Sequence, residues 1–213
     1  MNQDKSPVTP RRGRPRDPER LQRIVAAAAR QFHEHGLSGT SMDAIAAEAG
    51  VSKMTVYSHF PSKEDLFSAA VASRTAELMG SEVPPMDPLK PKQALTALGR
   101  AFLRLIRDDQ VVQHHRILFG LRDAHPQVRQ AFHDEGPDRL RLALAAYLAE
   151  ATRQGSLKVR QPELAADQFM GLFLGMGQLR LLLNLGKPTD RDDEALLKAN
   201  VALFVKGHEP AGP

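Results

Sequence analysis

Residues 40–60, TSMDAIAAEAGVSKMTVYSHF, constrain the fold of this chain more than any other segment. Apolar side chains recur there at the spacing of one helix face, at Met42, Ile45, Ala46 and Ala49. Gly50 tolerates the left-handed conformation that ends a helix, and Ser52 can cap a second helix over residues 53–60. Two helices joined by a short turn that contains glycine are the pattern of a helix-turn-helix unit.

The first helix of this unit has its own start signal. Thr40 and Ser41 can cap it, and Asp43 stands three residues after Thr40, as in a capping box. Upstream, residues 17–35 carry apolar side chains at helical spacing and predict an earlier helix that stops at Gly36. We expect that earlier helix to pack on the helix-turn-helix unit.

The rest of the chain predicts further helices and no strand. Residues 80–91 contain four prolines, which cannot continue a helix, and they predict a stiff linker. The apolar segment 162–185 predicts one long helix that contains glycine. We therefore expect an all-α protein. The expected segments are a disordered basic arm (1–16), a three-helix helix-turn-helix domain (17–80), a proline-rich linker (81–91), a helical bundle (92–207) and a tail (208–213).

The charge of the chain is concentrated at its amino end. The net charge is +4 at pH 7, and residues 1–30 hold eight basic side chains against three acidic ones. A basic end on a nearly neutral body suggests a polyanion as partner. Cysteine is absent from the sequence, which excludes a disulfide framework and a thiolate nucleophile and fits a cytoplasmic location. The longest apolar run, 169–185, contains polar residues, so we expect no membrane span.

Residues 24–71 resemble the DNA-binding domain of the TetR family of bacterial transcriptional repressors. The most specific part of this resemblance is AGVSKMTVYSHFPSKEDLF. Two later segments, AFHDEGPDRLRLALAAYL and PELAADQFMGLFLG, resemble the effector domain of the AefR-like branch. The resemblance implies that the helical bundle is an effector and dimerisation domain. It also implies a homodimer on a palindromic operator in double-stranded DNA, released by a small-molecule effector.

A recognition helix offers side chains to base edges and holds phosphates. The candidates around the second helix are Ser52, Lys53, Met54, Thr55, Tyr57, Ser58 and His59. By resemblance, phosphates would be contacted by Tyr57, His59, Lys63 and the amino end of the first helix at Thr40 and Ser41. Lys53 and Thr55 would face bases or nearby phosphates. In the simpler alternative, Tyr57 packs against the protein and His59 is an ordinary surface histidine.

The amino-terminal arm contains Arg12-Gly13-Arg14-Pro15, which resembles the core of an AT-hook. Narrow A·T minor grooves attract inserted arginine, and glycine lets the backbone lie close to the DNA. On this hypothesis Arg12 and Arg14 add minor-groove contacts beside the main site. The alternative is a disordered basic tail that aids solubility.

The second domain is expected to hold the ligand. Ligand sites are mainly apolar and contain a few polar groups. The candidate lining residues are Phe102, His115, Phe119, Arg122, Phe132, Phe169, Phe173, Met176 and Gln178. Each of them could instead be ordinary core or surface. An effector that fits such a set is small and partly hydrophobic.

The last two long helices offer a surface for dimerisation. Gly171, Gly175 and Gly177 permit close approach of helices, and Leu196 and Leu203 add apolar contacts. Two such helices from each subunit would complete a four-helix bundle. The alternative is that these glycines line a cavity or accommodate a bulky neighbour in the same chain.

Enzymatic activity is not expected. The histidine pairs His33/His35 and His114/His115 are too close in sequence to chelate a metal from one helix face, and the chain has no HExxH motif and no P-loop. We therefore expect no metal and no cofactor. The remaining alternatives are an architectural DNA-binding protein without a ligand and an activator. A solid second domain would favour the architectural protein, and a cavity of several hundred cubic ångströms would favour a sensor.

Overall fold

The computed structural model describes residues 18–80, 86–120 and 126–210. Over these ranges the chain forms helices and turns without any strand, which confirms the all-α prediction. The candidate residues Arg12, Arg14 and Arg122 lie outside the described residues. None of the described helices is both long enough and apolar enough to cross a membrane.

Four helices build the amino-terminal part of the fold. They are α1 (Pro18–Gly39), α2 (Met42–Ala49), α3 (Lys53–His59) and α4 (Lys63–Gly80). Their apolar faces share one core, the N-terminal core, whose fully buried members include Ile24, Phe32, Ile45, Val56 and Phe67. The rings of Phe32 and Phe67 meet edge to face, with 5.3 Å between their centroids. This core fixes α3 on the surface of the bundle.

Gly36 and Gly50 have positive φ angles that let the chain turn in this part of the fold. Gly36 has φ 68° and ψ 175°, which interrupts the helical backbone of α1 where the sequence predicts a stop. Gly50 has φ 66° and ends α2 in the left-handed conformation, and its N–H bonds back to the carbonyls of Ala46 and Ala47. Ser52 then caps α3 by accepting a hydrogen bond from the Thr55 N–H at 3.1 Å. The predicted helix-turn-helix geometry is therefore confirmed.

The predicted capping box at Thr40 and Asp43 is wrong. The cap of α2 is Ser41, whose Oγ accepts from the Ala44 N–H at 3.1 Å. The Thr40 side chain points inward, and its hydroxyl donates to the carbonyl oxygens of Gly36 at 2.7 Å and Gln31 at 3.0 Å. Those carbonyls lie beside the interruption of α1, so the hydroxyl satisfies backbone acceptors there.

The second part of the fold is a larger helical bundle. Its helices are α5 (Pro91–Arg107), α6 (Asp109–Gly120), α7 (Pro126–His133), α8 (Arg139–Arg153), α9 (Pro162–Gly171), α10 (Met176–Leu182) and α11 (Asp190–Gly207), with a π-helical turn at Asp134–Asp138. Helix α8 packs against α9, and α5 packs against α11. A Cβ atom built on Gly99 would lie 2.8 Å from the Leu197 side chain and 2.9 Å from the Phe173 ring, so any larger residue there would force these side chains to shift.

The single long helix predicted over 162–185 is also wrong. Helix α9 ends at Gly171, a turn follows, and α10 begins at Met176. The turn lets Phe173 enter the core, where its ring meets that of Phe169 at 5.3 Å. Asn200 stabilises the break by donating its side-chain amide to the Leu172 carbonyl at 2.8 Å. Core packing here outweighs helical continuity, which glycine already weakens.

Candidate nucleic-acid interface and ligand cavity

Helix α3 presents one face to solvent and one to the N-terminal core. Val56 is buried on the inner face, while Lys53, Met54, Tyr57 and Ser58 are exposed on the outer face. Met54 is 79% exposed, the largest exposed fraction among the large apolar side chains of the described residues. This outer face has the composition of a surface that contacts another macromolecule.

The hydroxyl groups of α3 stabilise its first turn. The Oγ of Ser52 and the Oγ1 of Thr55 lie 2.8 Å apart, and Ser58 donates its hydroxyl to the Thr55 carbonyl at 2.7 Å. Ser52 and Thr55 therefore stabilise the first turn of α3 through hydrogen bonds. Such ordering lowers the entropy lost when a short helix docks on a partner.

Lys53 carries the positive charge of the exposed face of α3. The Nζ of Lys53 lies 2.9 Å from the carboxylate of Asp43, and both groups are more than half exposed. This hydrogen bond raises the pKa of Lys53 above its ordinary value, so the ammonium group stays charged. Exposed pairs of this kind contribute little to stability.

Thr40 and Lys63 make hydrogen bonds within the protein that the sequence did not indicate. The Thr40 side chain is 4% exposed and its hydroxyl is bonded inward, so it does not reach a surface ligand. Lys63 donates its Nζ to the Thr40 carbonyl at 2.9 Å and so joins the start of α4 to the start of α2. Ser41 is exposed, and His59 is half-buried at the end of α3.

A cavity of about 110 Å³ lies between α4 and the helices of the second part of the fold. It is smaller than the several hundred cubic ångströms expected for a ligand site. Its described lining comes from α4, α5, α6, α7, the π-helical turn, α8 and α9, and from the turn after α9. Among the predicted ligand residues, Phe102, His115 and Phe132 line it.

The other described ligand candidates lie elsewhere. Phe119 and Met176 are strongly exposed, at 70% and 71%. Phe169 and Phe173 are buried in the core of the second part, and the Phe169 ring meets that of Phe204 edge to face with 5.0 Å between centroids. The amide of Gln178 is buried and accepts a hydrogen bond from Arg107. These side chains therefore lie on the surface or in the packed core, and they do not line the cavity. The sequence did not reveal this, because helical spacing alone does not distinguish a cavity wall from a core.

His114 is the lining residue that sequence reasoning missed. It is 1% exposed, and neither ring nitrogen has a hydrogen-bond partner among the described residues. Burial lowers the pKa of His114 to about 4, and the neighbouring His115 acts in the same direction. A signal was present, because His114 follows Val111 by three residues and precedes Leu118 by four, on the apolar face of α6.

His114 also contacts the N-terminal core. Its ring meets Phe67 edge to face with 5.3 Å between centroids, and Phe67 in turn meets Phe32. The side chains of Ile117, Leu118 and Phe132 pack against the same core. One wall of the cavity is thus continuous with the core that supports α3.

An ion pair joins α4 to the start of α6. Arg74 on α4 contacts Asp108 through Nη2 and Oδ2 at 2.6 Å, and Asp108 accepts the N–H groups of Gln110 and Val111 at the start of α6. Burial would raise the pKa of Asp108, but the hydrogen bonds from Arg74 and from the α6 backbone outweigh burial and lower it. Helix α4 is therefore tied to the start of α6 by charge as well as by packing.

A second buried arginine organises the carboxyl-terminal helices. Arg107 is nearly fully buried, pairs with Asp193 on α11 at 3.1 Å and donates to Gln178 on α10. This cluster joins α5, α10 and α11 and leaves the outer faces of the last helices open.

The outer surface of α9, α10 and α11 carries exposed leucines. Leu164, Leu179 and Leu203 are about half exposed or more. A Cβ atom built on Gly171 or Gly175, which stand at the end of α9 and before α10, would meet nothing within 4 Å. We refer to these five residues as the leucine face. The other two dimer candidates point into the chain itself, because a Cβ on Gly177 would approach Pro188 and Leu196 packs on the core.

Two family models match the chain. Residues 24–70 match the model described as bacterial regulatory proteins, tetR family. Residues 93–208 match the model described as AefR-like transcriptional repressor, C-terminal domain. The second match alone covers more than half of the chain.

Similar proteins include transcriptional regulators. The chain is 38% identical over 74 residues to HTH-type transcriptional repressor SCO4008 of Streptomyces coelicolor, a match that covers 34% of this chain and 38% of that protein. It is 30% identical over 164 residues to HTH-type transcriptional regulator SrpR of Pseudomonas putida, covering 74% and 73%. The solved structure of the Flavonoid-responsive Regulator FrrA is similar with a TM-score of 0.76 at 31% identity, covering 92% of this chain and 100% of that one.

Proposed function

Because this chain belongs to the TetR family of DNA-binding transcriptional regulators, we propose that it is a repressor released from its operator by a small, partly hydrophobic effector. The observation that carries the proposal is the position of the cavity, one wall of which belongs to the core beneath α3, because its volume of about 110 Å³ falls short of the several hundred cubic ångströms expected for a sensor. The names of two similar proteins support the two halves of the proposal. SCO4008 is named a repressor, and FrrA is named for its response to flavonoids.

The outer face of α3 is the DNA-binding surface in this proposal. Lys53, Met54, Tyr57 and Ser58 would enter the major groove or hold the phosphates beside it, as the second helix of such a unit does. Ser41 would contact a phosphate at the exposed start of α2. Thr40 has a supporting role, because its hydroxyl is committed to α1 and its carbonyl positions Lys63.

Dimerisation would occur through the leucine face. One DNA-binding domain covers a few base pairs, and two domains on half-sites one helical turn apart give useful specificity. Burial of exposed leucines against a second copy is favourable by roughly 25 cal/mol per Å² of apolar surface. Gly171 and Gly175 would let the helix backbones approach each other there.

Effector binding would act by shifting a population between two forms of the dimer. Val71 and Thr75 on α4 line the cavity on the side of the DNA-binding domain. A ligand that prefers a form in which α4 has moved also favours a different spacing of the two α3 helices. The ligand can weaken DNA binding only by the ratio of its affinities for the two forms.

Selection of random duplex DNA on the full-length protein tests this function. We expect enrichment of an inverted repeat whose half-sites lie about one helical turn apart. Tyr57→Ala should weaken binding to that repeat about tenfold, whereas Arg160→Ala, an exposed change in the turn before α9, should leave binding unchanged. Salt-sensitive binding without an enriched sequence would support an architectural role instead.

A further inference from the structure

Met54 is a large apolar side chain on the face of α3 that the proposed function turns toward DNA. It is the second residue of α3, and 79% of it is exposed. Val56, two residues later, is fully buried in the N-terminal core. Because Val56 fixes the rotation of α3 about its axis, Met54 stays on the outer face. The helix therefore presents an apolar group to whatever binds there.

The polar side chains beside Met54 already have hydrogen-bond partners within the protein. The Nζ of Lys53 lies 2.9 Å from the Oδ2 of Asp43. The Oγ of Ser52 accepts a hydrogen bond from the Thr55 N–H at 3.1 Å and lies 2.8 Å from the Thr55 Oγ1. A hydrogen bond from one of these groups to a base would have to replace or share an existing bond. An apolar contact made by Met54 requires no such exchange.

The major groove of DNA displays one kind of apolar group on its base edges. Thymine carries a C5-methyl group there, whereas specific recognition of the other bases uses hydrogen-bond donors and acceptors. In a helix-turn-helix unit, the first residues of the second helix contact base edges in this groove. A methionine side chain is flexible and polarizable, so it adapts readily to an apolar partner. The chemistry of Met54 therefore matches the methyl group of thymine.

We propose that Met54 is a specificity-determining residue that recognises the C5-methyl group of a thymine in each half-site. The proposal rests on the proposed function, in which the outer face of α3 is the DNA-binding surface. The Met54 side chain would cover the methyl group and exclude water from it, while phosphate contacts made by other residues position the helix. A 5-methylcytosine in the same place offers the same group and would be contacted in the same way.

The test removes the methyl group from the DNA and the thioether from the protein. Random duplex DNA is first selected on the full-length protein, and each thymine of the enriched repeat is then replaced in turn by uracil. Uracil pairs with adenine as thymine does and lacks only the C5-methyl group. At one position of a half-site, uracil should weaken binding by the unmodified protein about fourfold, the effect of burying one apolar carbon. Fluorescence anisotropy at one fixed salt concentration measures the affinities.

Three variants make the test specific to Met54. Met54→Ala should bind the thymine and uracil duplexes equally at that position, and Met54→Leu should retain a preference for thymine because it keeps a large apolar side chain. Leu89→Ala is the matched control, since Leu89 is also apolar and 62% exposed but lies in the turn before α5. It should respond to uracil as the unmodified protein does. Each change is at an exposed position and leaves the cores intact.

A second comparison restores the methyl group on a different base. The thymine whose replacement weakens binding is exchanged for cytosine or for 5-methylcytosine, each paired with guanine. The unmodified protein should bind the 5-methylcytosine duplex about fourfold more tightly than the cytosine duplex. Met54→Ala should bind these two duplexes equally. Equal binding of both duplexes by the unmodified protein would contradict recognition of the methyl group.

The outcomes separate this proposal from the proposed function. A uracil effect of the same size in Met54→Ala would assign the methyl contact to another residue and overturn the proposal. An enriched inverted repeat in which no uracil replacement weakens binding would also overturn it, and would keep the regulator. A selection that enriches no sequence would reject both. Recognition of the methyl group that depends on Met54, together with transcription that falls when the protein is removed, would keep this proposal and replace the repressor by an activator.

Discussion

Thr40 and Ser41 are neighbours with nearly the same chemistry, yet the structure gives them opposite roles. Ser41 caps α2 at the surface, and Thr40 turns its hydroxyl into the junction with α1. A residue in either position could hold a phosphate if its side chain faced outward. Direction of the side chain, rather than residue type, therefore decides which hydroxyl group remains accessible to DNA.

The buried position of Thr40 leads to a prediction about its substitution. Thr40→Val should lower the free energy of unfolding by about 1 kcal/mol, because two carbonyls lose a hydroxyl donor. The salt dependence of DNA binding should not change, since no phosphate contact is lost. Urea unfolding and binding at several salt concentrations measure the two effects. A salt slope that falls by about one with unchanged stability would show that Thr40 contacts a phosphate.

Protonation of His114 should make stability depend on pH. The pKa of this residue is about 4 in the folded chain against an ordinary value of 6.5. Between these values the unfolded chain binds more protons, so the stabilisation is complete above pH 6.5 and is lost as the pH falls toward 4. The charged or titratable groups that influence His114 are His115, Asp108, His33 and Arg74.

The measurement compares the unmodified protein with His114→Leu. Urea unfolding at pH 7 and pH 5 should show that the unmodified protein loses about 2 kcal/mol more stability than the variant. All other carboxylates and histidines are common to both proteins, so their contributions cancel to first order. Parallel losses in the two proteins would contradict a depressed pKa at His114.

Helix α4 belongs to both parts of the fold. Leu66 and Phe67 lie in the N-terminal core, Val71 and Thr75 line the cavity, and Arg74 pairs with Asp108 at the start of α6. A movement of α4 would therefore change the packing of the DNA-binding domain and the shape of the cavity at the same time. This arrangement makes α4 the element through which the two sites can influence each other.

The pair between Arg74 and Asp108 should stabilise this junction. Asp108→Asn should lower the free energy of unfolding by about 1–2 kcal/mol, because it removes the charge of a largely buried partner. Glu77→Gln is the matched control, since Glu77 contacts the same arginine at 2.9 Å but is 69% exposed. The control should cost less than about 0.5 kcal/mol. Thermal or urea unfolding of both variants measures the two losses of stability. Equal losses in Asp108→Asn and Glu77→Gln would show that burial of the pair is unimportant.

The proposed assembly of two copies would use a surface that a single chain leaves exposed. The leucine face combines apolar side chains with two glycines and belongs to the last three helices. Occupation by a second copy would bury it and would also set the distance between the two α3 helices.

Leu203 tests this assembly. Leu203→Glu should convert a dimer to a monomer, because a carboxylate would be buried without a partner in the interface. Leu89→Glu is the matched control, since Leu89 is 62% exposed and Leu203 is 63% exposed. Sedimentation equilibrium gives the mass, and binding to an inverted repeat against a single half-site gives the functional effect. A Leu203→Glu variant that remains dimeric would place the interface elsewhere.

Local signals in the chain were sufficient to predict the DNA-binding domain. Gly50 and Ser52 determine the turn and the cap of α3 through hydrogen bonds that span a few residues, and the apolar period identifies Val56 as core. The same signals predicted the all-α class. They failed at Thr40 and within 162–185, where contacts with α1 and with the core compete with local preference.

The cavity and the clusters around it depend on packing between distant segments. Phe102, His115 and Phe132 line it although α5, α6 and α7 are separate helices, and Gln178 is bonded to a buried arginine 71 residues away in the sequence. His114 lies on an apolar face, which its sequence position indicated, but its unpartnered nitrogens follow from the neighbours that surround it. Hydrogen bonds and periodicity within a helix are encoded by adjacent residues, whereas an enclosed space is defined by side chains that only the packed chain brings together.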